Sequence, residues 1–405
     1  MTVRRATLRR VPKLVVLLEQ LFAPVPGGTG RYSRELTAAL AATAPAGWTV
    51  GSAVAWHADP TPAIIPGVEG PHLLPLPRRA LIAAWDCRIP LGGLLLWPGG
   101  DTVHAPTPLA PSRARRGCEL VVTVHDTVPW THPEGLTRRG VSWHRRMVER
   151  AARRADALVV PTAAVAHDVP RHVPCQAGVH VVGEGVTAAV THLPAHAARI
   201  ATQLGLPPRY VLAVGTLEPR KGIETLLAAL AAPDAPDLPV VLAGQPGWGG
   251  LDPLALARRS GLDPARVHLL GRITDQELAV ALHGAAVLAA PSLAEGFGLP
   301  VLEAMAAGVP VVHSDVPALV EVAGGAGMTV QRNDPAALAA ALRAVLSDPG
   351  TARAMSVAGR RRAQWFSWER TAHRVWSVHV ELRQLHQLRH CRSQRRPCRT
   401  RRVVS

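Results

Sequence analysis

Along most of this chain, apolar runs of four to seven residues alternate with segments whose apolar positions recur at helical spacing. That alternation is how parallel sheets with crossover helices read, and it excludes all-α and all-β designs. In the second half the strand-like runs are YVLAVG (210–215), PVVLAG (239–244), VHLLG (267–271), AAVLAAP (285–291), VPVVHS (309–314) and GMTV (327–330). In the first half they are KLVVLLE, WTVGSAVAW, DTVHA, ELVVTVH, ALVVPT and VHVVGEG, with helices near 30–43 and 137–155. Helix ends are readable as well. Thr274 and Glu277 have the spacing of a capping box, and Asp334 with Pro335 reads as an N-cap followed by a first helical residue.

A chain of 405 residues is long enough for two domains. The stretch 191–208, THLPAHAARIATQLGLPP, carries a Pro–Pro pair just before a new first strand. The expected division is a doubly wound domain over 1–195, a second over 196–350, a last helix over 351–388 that packs back, and an Arg-rich tail over 389–405 without structure. Trp365, Phe366, Trp368 and Trp376 give that last helix an aromatic face to bury.

Charge is distributed unevenly. Residues 1–200 hold 22 basic and 13 acidic side chains, a net of +9, residues 201–350 come to −5, and residues 351–405 to +12. A basic first part and a basic tail point to something anionic, either phospholipid headgroups or nucleic acid. Only two of the 45 basic residues are lysines, Lys13 and Lys221, so a lysine that survives in this chain marks a place where arginine does not serve. Cys87, Cys118, Cys175, Cys391 and Cys398 are scattered and odd in number, which argues against a disulfide framework or a structural zinc site and fits a reducing compartment. Cys391 and Cys398, with His386 and His390, leave open a metal site in the tail beside the reading of an unstructured tail. RRATLRR before LVVLLEQLFA imitates a signal peptide, but Glu19 and Gln20 interrupt the apolar run, so residues 13–19 are expected to be a buried strand. No apolar run reaches the roughly 18–20 residues needed to span a bilayer.

Three segments carry chemistry. In open parallel sheets, ligands bind beyond the carboxyl ends of strands, where backbone N–H groups and helix N-termini meet anionic groups. Gly27-Gly28-Thr29-Gly30-Arg31-Tyr32-Ser33 follows the first strand and opens a helix; its glycines allow close backbone approach, though such a turn is as readily structural. Gly215-Thr216-Leu217-Glu218-Pro219-Arg220-Lys221-Gly222 follows the first strand of the second half. Arg220 can fork onto phosphate oxygens and Lys221 can follow a departing diphosphate, the alternative being a solvated basic turn.

The third segment runs from Ser292 to Pro310, SLAEGFGLPVLEAMAAGVP. Pro300 fits a helix start and Gly308 a helix end, framing about two turns with Glu303 expected in the first. Gly296, Phe297, Gly298 and Leu299 can offer N–H groups to an anion with the helix dipole behind them. Glu295 and Glu303 are placed to accept hydrogen bonds from a polyol; the structural alternative makes Glu295 a surface charge and Glu303 a partner of the helix dipole.

These elements, with GGTGRYSREL, VHAPTPLAP, VVTVHDTVPWTHPE and FSWERTA, resemble the retaining glycosyltransferases of family 4, over about residues 13 to 375. The resemblance implies the α/β GT-B fold, two Rossmann-like doubly wound domains facing each other across a cleft, the first binding acceptor and the second the nucleotide-sugar, with the C-terminal helix crossing back to the first. It implies that Arg220 and Lys221 stabilise the departing diphosphate, that Glu295 contacts donor-sugar hydroxyls, and that Glu303 holds the ribose. Thr216 and the Gly296–Leu299 turn would belong to the donor site, Gly28 and Gly30 would border the diphosphate and acceptor, and Ile273 would meet the base through its backbone. His125, in VVTVHD, would face the donor sugar, the lesser alternative being a hydrogen-bonded histidine that caps a strand end; Asp126 would orient rather than attack.

The same resemblance implies no cofactor, no metal, and a front-face reaction in which the leaving phosphate helps deprotonate the acceptor. The expected activity is transfer of a hexose, mannose from GDP-mannose first, with UDP-sugars next, to a lipid-linked sugar, glycolipid or polysaccharide. The expected place is the cytoplasm at the inner face of an anionic plasma membrane. Two other functions stay open. A GT-B nucleotide-sugar epimerase would share the donor site without needing an acceptor, and a nucleic-acid binder would account for the net charge of +16, though no basic patch interleaved with aromatics accompanies it.

Overall fold

The computed structural model describes residues 11–86, 96–247 and 249–394, and side chains only as far as Leu388 in the last helix. The RRATLRR run, Cys87, Cys398, the Cys391 side chain and the end of the tail lie outside the described residues. Seven strands, β1 (Lys13–Leu17), β2 (Thr49–Trp56), β3 (Glu69–Pro77), β4 (Thr102–Ala105), β5 (Glu119–Thr123), β6 (Ala157–Val160) and β7 (Gly178–Val181), form one parallel sheet in the order β3-β2-β1-β4-β5-β6-β7. Six more, β8 (Val211–Val214), β9 (Val240–Ala243), β10 (Val267–Gly271), β11 (Val287–Ala290), β12 (Val311–Ser314) and β13 (Met328–Val330), form a second in the order β10-β9-β8-β11-β12-β13. Both orders reverse beside their first strand, as in Rossmann-like sheets.

Apolar runs without polar alternation make sense once both sheet faces are covered. Leu14 and Val16 enter one apolar cluster with the Gly27–Ala42 helix, while Val15 and Leu17 enter another on the opposite face. In the second sheet Val211 and Ala213 point one way and Leu212 the other. Each fully buried Leu or Val among them contributes about 1.5–3 kcal/mol.

One strand escapes the sequence pattern. β3 carries Pro71, Pro75 and Pro77, which argue against a strand, yet it lies at the sheet's edge and pairs only with β2, with two register shifts. An edge strand can spare the N–H groups that proline lacks.

The chain crosses between domains twice. The outgoing crossing follows β7, and by Ala188–Thr191 the chain already packs against the Asp275–Gly284 helix, earlier than the division expected near 195. The return crossing corrects the single helix expected over 351–388. Two helices occupy that region, Pro349–Ala363 and Trp368–Gln394. Ser367 restarts the chain as a new helix, its hydroxyl accepting from Arg370 N at 3.2 Å. The earlier helix packs on the second domain, with Gly359 against Met305. The later one packs on the first domain, where Trp376 donates to Leu40 O at 3.1 Å and stacks edge-on with Trp48. Helix continues through Gln394, beyond the end expected at 388.

Glu19, an odd residue after a buried strand, is 4% exposed and accepts from Ala55 N at 2.8 Å with His57 and Arg78 nearby. Among the described residues no helix is long and apolar enough to cross a membrane.

Candidate active site

Reversal of strand order leaves a crevice beyond β1 and β4 in one sheet and beyond β8 and β11 in the other. The Gly27–Ala42 helix follows β1, the 215–222 segment follows β8, and the 292–299 loop follows β11. They meet at one interdomain cleft of about 550 Å³ whose lining includes Gly28, His125, Thr216, Arg220, Lys221, Ile273, Glu295, Gly296, Phe297, Gly298, Leu299 and Glu303.

Glycines bring the second-domain loops together. Gly222 has φ 67°, and a Cβ there would sit 2.0 Å from Pro291 O, so only glycine lets the turn after β8 lie against the end of β11. That contact carries Lys221 to Glu295, with Nζ donating to Oε1 at 2.5 Å and Ser292 Oγ donating to the same oxygen at 2.8 Å. Arg220 Nε donates to Glu218 Oε2 at 2.8 Å, its NH1 lies 3.5 Å from Glu295 Oε2, and Thr216 Oγ1 donates to Glu218 Oε1 at 2.7 Å. Two cations and two carboxylates thus form one cluster, Glu218 buried and the other three partly buried. Burial would raise the Glu295 carboxyl, but Lys221 and Arg220 outweigh it and hold it below the ordinary value. Burial also lowers the Lys221 ammonium, with Glu295 opposing and Arg220 adding to the fall.

Beside this cluster begins the helix Leu299–Ala307, whose N-cap Gly298 is left-handed and supplies no side chain to the first turn. Pro300 has no N–H, and those of Val301 and Leu302 are taken by Gly298 O, so Leu299 is the first helical residue with a donor to offer an anion. Glu303 lies in the second turn, not the first, which removes it from the reach of the helix dipole as an explanation. It is 3% exposed and paired with Arg31, whose other terminal nitrogen pairs with Asp275. Burial, opposed by Arg31, pushes the Glu303 carboxyl up to about 7.

On the first-domain wall His125 Nε2 donates to Pro106 O at 2.8 Å, while Nδ1 faces Glu184 Oε1 at 3.6 Å. Burial lowers its pKa, but Glu184 and the Pro106 carbonyl outweigh burial and raise it above the ordinary value. Histidine as strand-end cap and histidine in the cleft are therefore the same residue. Asp126 accepts from Val128 N at 3.0 Å and so shapes the loop. The walls approach closely at one point: a Cβ on Gly296 would lie 1.8 Å from His125 O, and Thr162 Oγ1 donates across to Gly296 O at 2.9 Å. Gly30 does not border the cleft. It sits a turn into its helix, where a Cβ would strike Pro26 Cβ at 2.5 Å, so its lack of a side chain serves packing against Pro26.

Comparison with known proteins agrees with this fold. Residues 26–190 match the description Glycosyltransferase Family 4, and residues 197–362 match Glycosyl transferases group 1. A D-inositol 3-phosphate glycosyltransferase of Streptomyces avermitilis is 30% identical over 425 residues, covering 95% of this chain and 91% of that protein. The chain belongs to glycosyltransferase family 4. A second relative, O-antigen chain mannosyltransferase B of Escherichia coli, is 39% identical over 163 residues, 40% of this chain and 42% of that protein, so the match spans less than half of it. Among solved structures, sucrose-phosphate synthase from Thermosynechococcus elongatus superposes with a TM-score of 0.68 at 26% identity, over 92% of this chain and 99% of that one.

In this family 4 glycosyltransferase, the cleft also holds residues that the sequence reading passed over. Glu218, Arg31 and Glu184 each lie in a segment the sequence singles out, and only Glu218, two residues before Arg220, carries a local signal of its role. Arg31, Asp275 and Glu184 come from separate elements and meet the site only through the fold. Among the described residues no group of three or more His, Cys, Asp or Glu is arranged to hold a metal ion.

Proposed function

We propose that this glycosyltransferase is a retaining, metal-independent hexosyltransferase. The supporting observation is the cluster of Arg220, Lys221 and Glu295 beside the Gly298–Leu299 helix start, facing His125 across one cleft. A donor diphosphate entering there displaces Glu295 from Lys221 and takes up both cations, so that charge developing on the leaving group is met by donors already in place. Glu295, released, accepts from donor-sugar hydroxyls, and Glu303 accepts from the ribose. His125 lies on the sugar's side of the cleft. The anomeric carbon passes through an oxocarbenium-like state. The bond from the anomeric carbon to the phosphate oxygen breaks, the departing phosphate oxygen takes the acceptor hydroxyl's proton, and the acceptor oxygen forms the new bond from the same face, which retains configuration.

The preferred donor is GDP-mannose, in keeping with the match to an O-antigen mannosyltransferase, and the preferred acceptor is a lipid-linked sugar, glycolipid or polysaccharide. A second acceptor class, a phosphorylated polyol, is favoured by the nearly full-length match to a D-inositol 3-phosphate glycosyltransferase. The basic first domain, with its helix Arg138–Arg154, would hold an anionic membrane surface. A thermal-shift panel of GDP-, UDP- and dTDP-sugars, followed by NMR of the product's anomeric signal, tests the reading. A bound donor raises the melting temperature by mass action. Inversion of the anomeric centre, or donor isomerisation without any acceptor, would overturn it.

A further inference from the structure

A second cavity of about 210 Å³ lies at the hinge, between the outgoing crossing at 181–184 and the returning one at 362–374. Its wall carries Arg362, Arg370 and Arg374, and Arg370 belongs to the FSWERTA motif, which the transfer site does not use. We propose that this hinge cavity binds a small phosphate-bearing anion through those three arginines and that its occupancy is felt in the transfer cleft.

The arginines come from both bodies of the molecule. Arg362 ends the helix that packs on the second domain; Arg370 and Arg374 lie in the helix that packs on the first. Arg362 is fixed by two carbonyls, Nε donating to Val322 O at 3.0 Å and NH2 to Glu321 O at 2.7 Å, and it stacks over Phe366 at 4.9 Å. Two of its five donors are thereby spent and the rest remain. Arg374 donates to Val182 O at 3.3 Å, and Arg370 lies over the Trp365 ring at 5.4 Å.

The carboxylates in the cavity wall are engaged elsewhere. Glu184 faces His125, and Glu321 accepts from Ala163 N and Ala164 N at 2.9 and 3.0 Å. Glu369, on the same helix as Arg370, faces His373 at 3.7 Å. Three arginines thus line one cavity without a carboxylate paired to them among the described residues, and the Ser367 and Thr371 hydroxyls line it with them. Guanidinium forks match phosphate oxygens in pairs, and a cavity with low-dielectric walls concentrates anions. Room for a phosphate with a small organic body is present, while a nucleotide-sugar requires the larger cleft.

Glu184 and Phe297 line both cavities. An anion spanning Arg362 and Arg370 ties the two domains at their hinge, while its charge faces the residue that sets the His125 environment. Coupling follows in both directions, since a ligand that favours one domain arrangement changes the affinity of the other by the same factor.

The test uses the full chain and inorganic phosphate as probe, with sodium chloride at matched ionic strength as reference. Phosphate is titrated against thermal unfolding in the Lys221→Ala background, so that the nucleotide site does not dominate, and the result does not depend on whether the main cleft takes nucleotide-sugars. A saturable rise is expected, and the added pair Arg370→Gln and Arg374→Gln, both exposed positions, weakens it at least about tenfold. The same double substitution in the Lys221 protein leaves nucleoside diphosphate affinity within about twofold in the absence of phosphate. No rise, or a rise unchanged by the double substitution, would overturn the proposal. So would a response only to phosphatidylglycerol vesicles, which would assign the arginines to a lipid surface.

Discussion

On the second-domain wall of the cleft, Arg220, Lys221, Glu218 and Glu295 stand in pairs within two short loops, each charge already answered by another. On the first-domain wall, His125, Glu184 and Arg31 arrive from three separate elements, and Arg31 spends its charge on carboxylates of the opposite domain. The second-domain wall is locally complete, so on the proposed reading its affinity for an anion turns on how readily Glu295 yields Lys221. The first-domain wall is complete only when the domains meet, so its contribution depends on closure. On the proposed reading, anion binding and catalytic geometry are held by different interactions and can be broken separately.

The largest expected effect is on the locally complete wall. Lys221→Ala should lower transfer about 10³-fold by removing a preorganised charge from the leaving group. Glu295 keeps Arg220 as a partner, and circular dichroism should show a folded protein; loss of fold instead would make the pair structural. Next comes closure. Gly296→Ala places a methyl against the His125 carbonyl, forcing the walls apart, and transfer should fall about 10²-fold while nucleoside diphosphate affinity, by calorimetry, changes little. An equal loss of both would erase the distinction between the walls.

A smaller effect is expected at Glu303. With its carboxyl near 7, raised above its unfolded value, the fraction ionised and able to accept from a ribose grows as pH rises through that range. Nucleoside diphosphate affinity should therefore strengthen about tenfold between pH 6 and 8, and Glu303→Gln should flatten that slope. The same shift means that Glu303 favours the fold at acid pH and that this contribution disappears as pH rises through about 7. The smallest effect concerns Glu184→Gln. Without that carboxylate the His125 imidazolium loses its chief support, and the acid limb of the transfer rate should move to lower pH.

Much of this was legible in the sequence where one segment supplies both the structure and the chemistry. All six strands of the second sheet, the capping box of Thr274 with Glu277, and the Ser292–Pro310 element stand where the residue pattern puts them. What was not legible is of two kinds. β3 violates strand chemistry at a place where an edge permits it, and the break at Ser367 is signalled only by one capping residue with Glu369 after it, inside a longer helical run. The other kind is contact between distant residues. Arg31 and Glu303 are 272 positions apart, and no spacing rule reaches that far. Gly30 shows the converse error, a glycine in a motif whose small size serves its own helix and not the ligand.

The most direct measurement is a crystal structure of the protein with a bound nucleoside diphosphate. The account predicts the diphosphate within hydrogen-bonding distance of Arg220, Lys221 and the Leu299 N–H, with the Lys221 to Glu295 contact opened. A diphosphate seated elsewhere, with that contact intact, would contradict it.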